Sequence, residues 1–205
     1  MPLIVGLTGQ SGAGKSTASS IFRRLGAYVI DCDEIARSVT SDNSQCNKEL
    51  SQYFSECFDE NLHLDRKKMA DIIFSDEKKL KTQNAIIFKY ITIEIDAVLS
   101  ACNQDYIILD APTLFQSGLD KRCVAIIGVL SDTAKRFERI KARDSLSDKS
   151  ILLRFSSQQD DDFFQKNCDI VIYNNSSLDE LEVNVKKALE KIEEIVNGKK
   201  PKEKN

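Results

Sequence analysis

The chain has 205 residues, of which 41% are apolar and 30% charged, and its 29 Lys and Arg against 32 Asp and Glu leave a net charge of −3. That length suits one domain or one core with a small insertion. The composition excludes a collagen-like, wholly disordered or membrane-spanning chain, because no apolar run nears the roughly 20 residues that cross a bilayer.

Leu3 to Leu7 is a short apolar run ending in Thr8-Gly9, the pattern of a buried strand. From Lys15 to Leu25 the period becomes helical, with Ala18, Ile21, Phe22 and Leu25 on one face and Gly26 as the stop. Ala27 to Ile30 reads as a second strand that ends at Asp31-Cys32-Asp33. Such a β-α-β unit implies parallel strands joined by a crossover helix. Residues 34–102 are polar, periodic and mostly helical, and form a candidate insertion. Asp65 is placed to cap one helix there. Ser75 or Asp76 is placed to start a longer one carrying Ile87, Ile91, Ile95 and Val98.

Strand patterns return at Tyr106–Leu109, ending in Asp110, and at Cys123–Leu130, ending in Ser131. A charged helix is expected from Asp132 to about Arg143, and Ser147 can cap another that runs to Ser157. Asp169–Tyr173 is the last strand, ending in Asn174-Asn175. Ser177 and Glu180 form a capping box for a final helix with Leu178, Leu181, Val185, Leu189, Ile192 and Val196 on one face. The strands thus end in Thr8, Asp33, Asp110, Ser131 and Asn174. Open parallel sheets bind ligands outside their carboxyl ends, so one polar crevice is expected there. Residues 198–205, with four Lys and one Glu, read as a flexible basic tail on an acidic body. That balance gives no footprint for nucleic acid.

The six cysteines form no C-x-x-C pair and His63 is the sole histidine, so neither a zinc site nor a disulfide framework is expected. The N-terminus lacks the basic region of a signal peptide. Reduced thiols in a cytoplasm are the expectation, with no membrane partner and a monomer favoured.

Gly9-Gln10-Ser11-Gly12-Ala13-Gly14-Lys15-Ser16-Thr17 fits the P-loop pattern G-x-x-x-x-G-K-[ST], with a strand before it and a helix after. Glycines bring backbone N–H groups close to phosphate, and the following helix aims its positive end at the same anion. Lys15 suits the β- and γ-phosphates of ATP, and the Ser16 hydroxyl suits Mg²⁺. A GTPase is disfavoured. No glycine has Asp three positions before it, and Asn47-Lys48 is followed by Glu49-Leu50 rather than x-Asp. A small kinase remains. Its transfer to a hydroxyl needs a base, for which Asp33 is the candidate, with Asp31 beside it. Asp33 is also a candidate on the metal side with Ser16. Arg136, Arg139, Arg143 and Arg154 lie in a basic stretch that reads as a lid supplying arginines over the phosphates.

Gly6-Leu7-Thr8-Gly9, the P-loop, Leu25-Gly26 and Ile30-Asp31-Cys32-Asp33 resemble the N-terminal signature of the dephospho-coenzyme A kinase family. The resemblance continues in order through Leu64-Asp65-Arg66, Ile73-Phe74-Ser75-Asp76, Ala111-Pro112-Thr113-Leu114-Phe115-Gln116, Ala142-Arg143-Asp144, Ser157-Gln158 and Asn174-Asn175-Ser176-Ser177. It implies an α/β P-loop NTPase-type three-layer fold: a parallel sheet, a helical acceptor-binding insertion and a helical lid. The core would be 1–33, 103–140 and 168–197, the acceptor (CoA)-binding region 34–102, and the lid 141–167. The implied activity is transfer of the γ-phosphate of ATP, with Mg²⁺, to the ribose 3′-hydroxyl of dephospho-CoA.

By the same resemblance Lys15 steadies the phosphates, Ser16 helps hold Mg²⁺, Asp33 is the base and Arg143 is the lid arginine. Asn174-Asn175 would lie near the adenine, and the loop residues Gly9, Ser11, Gly12, Ala13, Gly14 and Thr17 would cradle the nucleotide. The chain departs from the family pattern at Gln10, which replaces a loop glycine, and at Thr113 and Gln116. Phe88-Lys89-Tyr90-Ile91 replaces H-P-L-I. Two other readings share the fold: a kinase acting on a nucleoside or nucleoside monophosphate, and a non-catalytic ATP-binding protein.

Overall fold

The computed structural model describes residues 2–199. It has a five-stranded sheet built from β1 (Leu3–Gly9), β2 (Val29–Asp31), β3 (Tyr106–Asp110), β4 (Ala125–Leu130) and β5 (Ile170–Tyr173). The strand order is β2-β3-β1-β4-β5. β1 pairs in parallel with β3 (Val5 opposite Ile108) and with β4 (Leu7 opposite Ile127), and β4 pairs in parallel with β5. β2 joins the edge through the Ile108 N–H, which donates to Tyr28 O at 2.8 Å. The order reverses at β1, so the carboxyl end of β1 is where such a sheet leaves a crevice.

Central β1 is buried on both faces, which is why it reads as a continuous apolar run. Val5, Leu7, Ile108, Ile127 and Val129 pack on one face against Ala18, Ile21 and Phe22 of α1 (Lys15–Arg24) and against Leu181, Val185, Ile192 and Val196 of the last helix. Burying each of the larger of these side chains contributes about 1.5–3 kcal/mol relative to exposure.

The chain divides into two compact units. One holds residues 2–30 and 103–199 among those described; the other is Asp31–Cys102. The break falls just before Asp31, whose side chain caps α2 (Cys32–Val39) by accepting from the Asp33 and Glu34 N–H groups. The strand expected at 27–30 is thus shifted to Val29–Asp31, and Cys32 and Asp33 already belong to a helix.

In the helical unit, α3 (Gln45–Tyr53) and α4 (Arg66–Phe74) precede α5 (Glu77–Ala101), which packs against α2, α3 and α4. Asp65 and Asp76 cap α4 and α5 as expected. The buried stripe of α5 is Ile86, Ile91, Ile95 and Leu99 rather than one through Ile87 and Val98. A helix turns 100° per residue, so a neighbouring isoleucine is an easy misassignment of face. Asn47 is fully buried and donates to the carbonyls of Ser41 (3.0 Å), Thr40 and Leu62 (both 3.4 Å), a structural role within the helical unit. At the departure from H-P-L-I, Glu49 accepts from Lys89 (2.6 Å) and Tyr90 (2.8 Å).

In the sheet unit, α6 (Thr133–Asp144), α7 (Asp148–Ser156) and α8 (Asp161–Asn167) follow β4, and α9 (Leu178–Lys199) follows β5. Ser147 caps α7, and Ser177 Oγ accepts from the Glu180 N–H at 3.2 Å. Asp160 caps α8, so the acidic run Asp160–Asp162 is a helix start. Phe163 and Phe164 of α8 meet Phe115 edge-on, with ring centroids 5.0 and 6.4 Å away. Leu178 is 58% exposed, because only after the first residue does α9 turn its apolar stripe to the sheet. α9 includes Gly198 and Lys199; the rest of the expected basic tail, residues 200–205, lies outside the described residues.

Candidate active site

Gly9 ends β1, and residues 10–14 turn the chain into α1. Gly14 is the N-cap of α1 with φ 95°, and no side chain caps it. The first turn of α1 also carries no acidic residue. Its unsatisfied N–H groups and the positive end of its dipole are therefore left for an anion. A Cβ added at Gly14 would stand 2.1 Å from Asn174 Nδ2, so this position excludes a side chain on conformation and on space.

Lys15 comes directly after, and its ammonium pairs with the Asp110 carboxylate at the end of β3. Both side chains are largely buried, 14% and 5% exposed. Asp110 therefore does more than end a strand: it holds the loop lysine. Ser16 and Thr17 are exposed at the start of α1.

The carbonyls of Ser11, Gly12 and Ala13 are taken by long-range donors. Arg136 Nε donates to Ser11 O at 2.9 Å. Arg139 Nη1 donates to Gly12 O at 3.2 Å and to Ala13 O at 3.4 Å. Asn174 Nδ2 donates to Ala13 O at 2.8 Å. Arg139 also reaches Ser131 Oγ and, through Nη2, Asn174 O at 3.0 Å. Asn175 joins the ends of β4 and β5: its Oδ1 accepts from the Asp132 N–H at 2.8 Å, and its Nδ2 donates to Asp132 Oδ1 at 2.7 Å. Fixing these carbonyls outward leaves the uncapped N–H groups at the start of α1 for the anion site.

Arg136 is 4% exposed and lies 4.3 Å from the Phe155 ring centroid. Burial pulls its guanidinium below the usual arginine range, with Asp161 opposing that shift.

The sequence-derived candidates fall in different places. Gly9, Ser11, Gly12, Ala13, Gly14, Lys15, Ser16 and Thr17 form the loop and the first turn of α1, and Asn174 touches that loop. Asn175 is one step removed, on Asp132 and Ser131. Arg143 sits in the last turn of α6, with its side chain 62% exposed, and is bound at 2.6 and 2.9 Å to the neighbouring Asp144. Arg154 reaches the same carboxylate at 2.7 Å. Arg143 first, then Arg154, hold the Asp144 carboxyl well below the usual range. Asp33 lies in the first turn of α2 in the helical unit. Arg136 and Arg139, expected only as lid cations, instead brace the loop. No local pattern marks that role, since Arg136 and Ser11 are 125 residues apart.

The sequence model of the dephospho-CoA kinase family matches residues 3–180. A dephospho-CoA kinase from Fusobacterium nucleatum is 34% identical over 190 residues, covering 93% of this chain and 98% of that protein. One from Aquifex aeolicus is 34% identical over 190 residues, covering 92% and 96%. A solved Thermus thermophilus protein superposes with a TM-score of 0.83 at 30% identity, covering 93% of this chain and 98% of its own.

Proposed function

The chain belongs to the dephospho-CoA kinase family, and on that premise we propose the part each of its residues takes in phosphorylating dephospho-CoA with ATP. The observation that carries the reading is the uncapped, acid-free start of α1, whose first residue, Lys15, is paired with Asp110. The loop amides and Lys15 receive the β- and γ-phosphates, where charge builds up as the phosphoryl group leaves ADP. Asp33 accepts the proton of the attacking ribose 3′-hydroxyl as the new P–O bond forms. Arg143, exposed in the last turn of α6, acts as the lid arginine on the ATP side. Asn174 and Asn175 lie on the adenine side of the loop. The helical unit, Asp31–Cys102, holds the acceptor.

Magnesium fits the donor chemistry present. Ser16 offers an exposed hydroxyl beside the loop, and Asp110 and Asp33 offer carboxylates, all hard oxygen donors. Magnesium is commonly held by one or two side chains together with substrate phosphates, and here it would neutralise charge on the transferring group. Six free thiols suit a reducing compartment such as the cytoplasm. Among the described residues no helix is long and apolar enough to cross a membrane.

The test is ADP release with ATP, Mg²⁺ and dephospho-CoA, read together with mass spectrometry of the product. Adenosine, uridine and nucleoside monophosphates serve as competing acceptors. Coenzyme A with little turnover on the panel is the expected result. A folded, ATP-binding protein that forms no coenzyme A would overturn the acceptor assignment.

A further inference from the structure

Ser11 is the loop residue on which the segment after β4 converges. Its N–H donates to Gln158 Oε1 at 3.1 Å, its Oγ accepts from Gln158 Nε2 at 2.9 Å, and its carbonyl accepts from Arg136 Nε at 2.9 Å. All three polar groups of one residue are thus fixed from outside the loop. Arg136 Nη2 also donates to Gln158 Oε1 at 3.3 Å, which sets the amide orientation: a flipped amide would face both the Ser11 N–H and the guanidinium with N–H groups. One residue earlier, Gln10 is 5% exposed and donates through Nε2 to Asp161 Oδ1 (2.8 Å) and to Gln159 O (3.2 Å).

Residues 158–161 are therefore tied to residues 10–11 across about 150 positions of sequence. Gly12, immediately after Ser11, has φ 78° and begins the tight part of the loop. Displacement of Ser11 would be passed directly into the backbone that takes phosphate.

We propose that Gln158 is a positioning residue for the nucleotide: by gripping the Ser11 N–H and Oγ, it holds the phosphate loop in its ATP-accepting shape, with Arg136 as its brace and Gln10 as a second tie. The proposal rests on the P-loop reading above. It predicts an effect confined to ATP, since dephospho-CoA does not use the loop amides.

The test is ATP affinity by calorimetry, beside KM for each substrate and kcat, in Gln158→Ala and Gln158→Asn. Asn keeps the amide but is one methylene too short to reach Ser11, at a half-buried position that tolerates a polar side chain. Both variants should weaken ATP binding and raise KM for ATP about tenfold, leaving KM for dephospho-CoA within about twofold and Tm nearly unchanged. Ser11→Ala combined with Gln158→Ala should lose less than the product of the two single effects. Unchanged ATP affinity in both variants, equal losses for the two substrates, or effects that multiply fully would each overturn the proposal. Because ATP binding is read without the acceptor, a wild-type protein that fails to make coenzyme A would sink the functional reading while leaving this one decided by calorimetry.

Discussion

The helical unit and the phosphate loop of the sheet unit are each stabilised by a different kind of polar bond. In the helical unit the helix caps are short in sequence, and the longest side-chain ties, from Lys89 and Tyr90 to Glu49, span about 40 residues. Asp65 caps α4 three residues ahead, Asp76 caps α5 within three, and His63 meets Asp59 four away. At the phosphate loop the bonds span the chain, with Arg136 on Ser11, Arg139 on Gly12 and Asn174 on Ala13, 125 to 161 residues apart. A local bond stabilises its own helix, whereas a long-range bond fixes one piece of backbone against another. The second kind suits a loop that must keep its shape before the ligand arrives.

The contrast breaks most sharply at Lys15. Lys15→Ala removes the phosphate cation and strands the buried Asp110 carboxylate. Turnover should fall by about 10³-fold or more, and Tm should drop with it, as read by steady-state kinetics and a thermal melt. Full activity would remove the P-loop from the chemistry. Next comes Asp33→Asn, on the helical side. It should lower kcat about 10²- to 10⁴-fold while calorimetry finds ATP affinity intact. An unchanged kcat would take Asp33 out of the base role.

A purely local change should behave differently. Asp76→Ala removes the cap of α5 and should lower stability by about 1 kcal/mol, measured by denaturant unfolding, with KM for ATP unaffected. If it disturbed ATP binding, the separation between local and long-range bonding would be wrong.

The smallest effect concerns the single histidine. His63 Nδ1 lies 2.9 Å from Asp59 and Nε2 3.5 Å from Asp42. The hydrogen bond to Asp59, then the charges of Asp42 and Asp59, raise its pKa above 6.5. A raised folded pKa means the pair contributes stability fully below the unfolded value and loses it as pH rises through the folded one. One imidazole resonance followed by NMR should therefore titrate above 6.5 and return toward it in Asp59→Asn. A midpoint already at 6.5 in the wild type would show that the pair does not form in solution.

The same division explains what was legible in the sequence. Asp65, Asp76, Ser147 and Ser177 were readable as caps because the cap and the N–H it meets lie within three residues. The P-loop was readable because its glycines, lysine and serine fall in one short stretch, Gly9 to Ser16. Asp110 was visible as a strand end, but its hold on Lys15 spans 95 residues and has no local mark. The braces from Arg136, Arg139 and Gln158 are hidden for the same reason. The α5 stripe through Ile86 and Leu99 was missed because Ile87 and Val98 offer equal hydrophobicity one step round the helix. α8 was missed because seven residues opening on acids carry too little period.

Gly14 and Asn174 have a consequence for how this sequence can change over time. The carboxamide of Asn174 occupies the volume that any Cβ at position 14 would need, and it is anchored there by Ala13 O. Position 14 is not free to drift while Asn174 stays: any side chain there collides with the amide. A residue 160 positions away in the chain therefore helps decide what position 14 can be, and a library that randomises position 14 alone should return glycine.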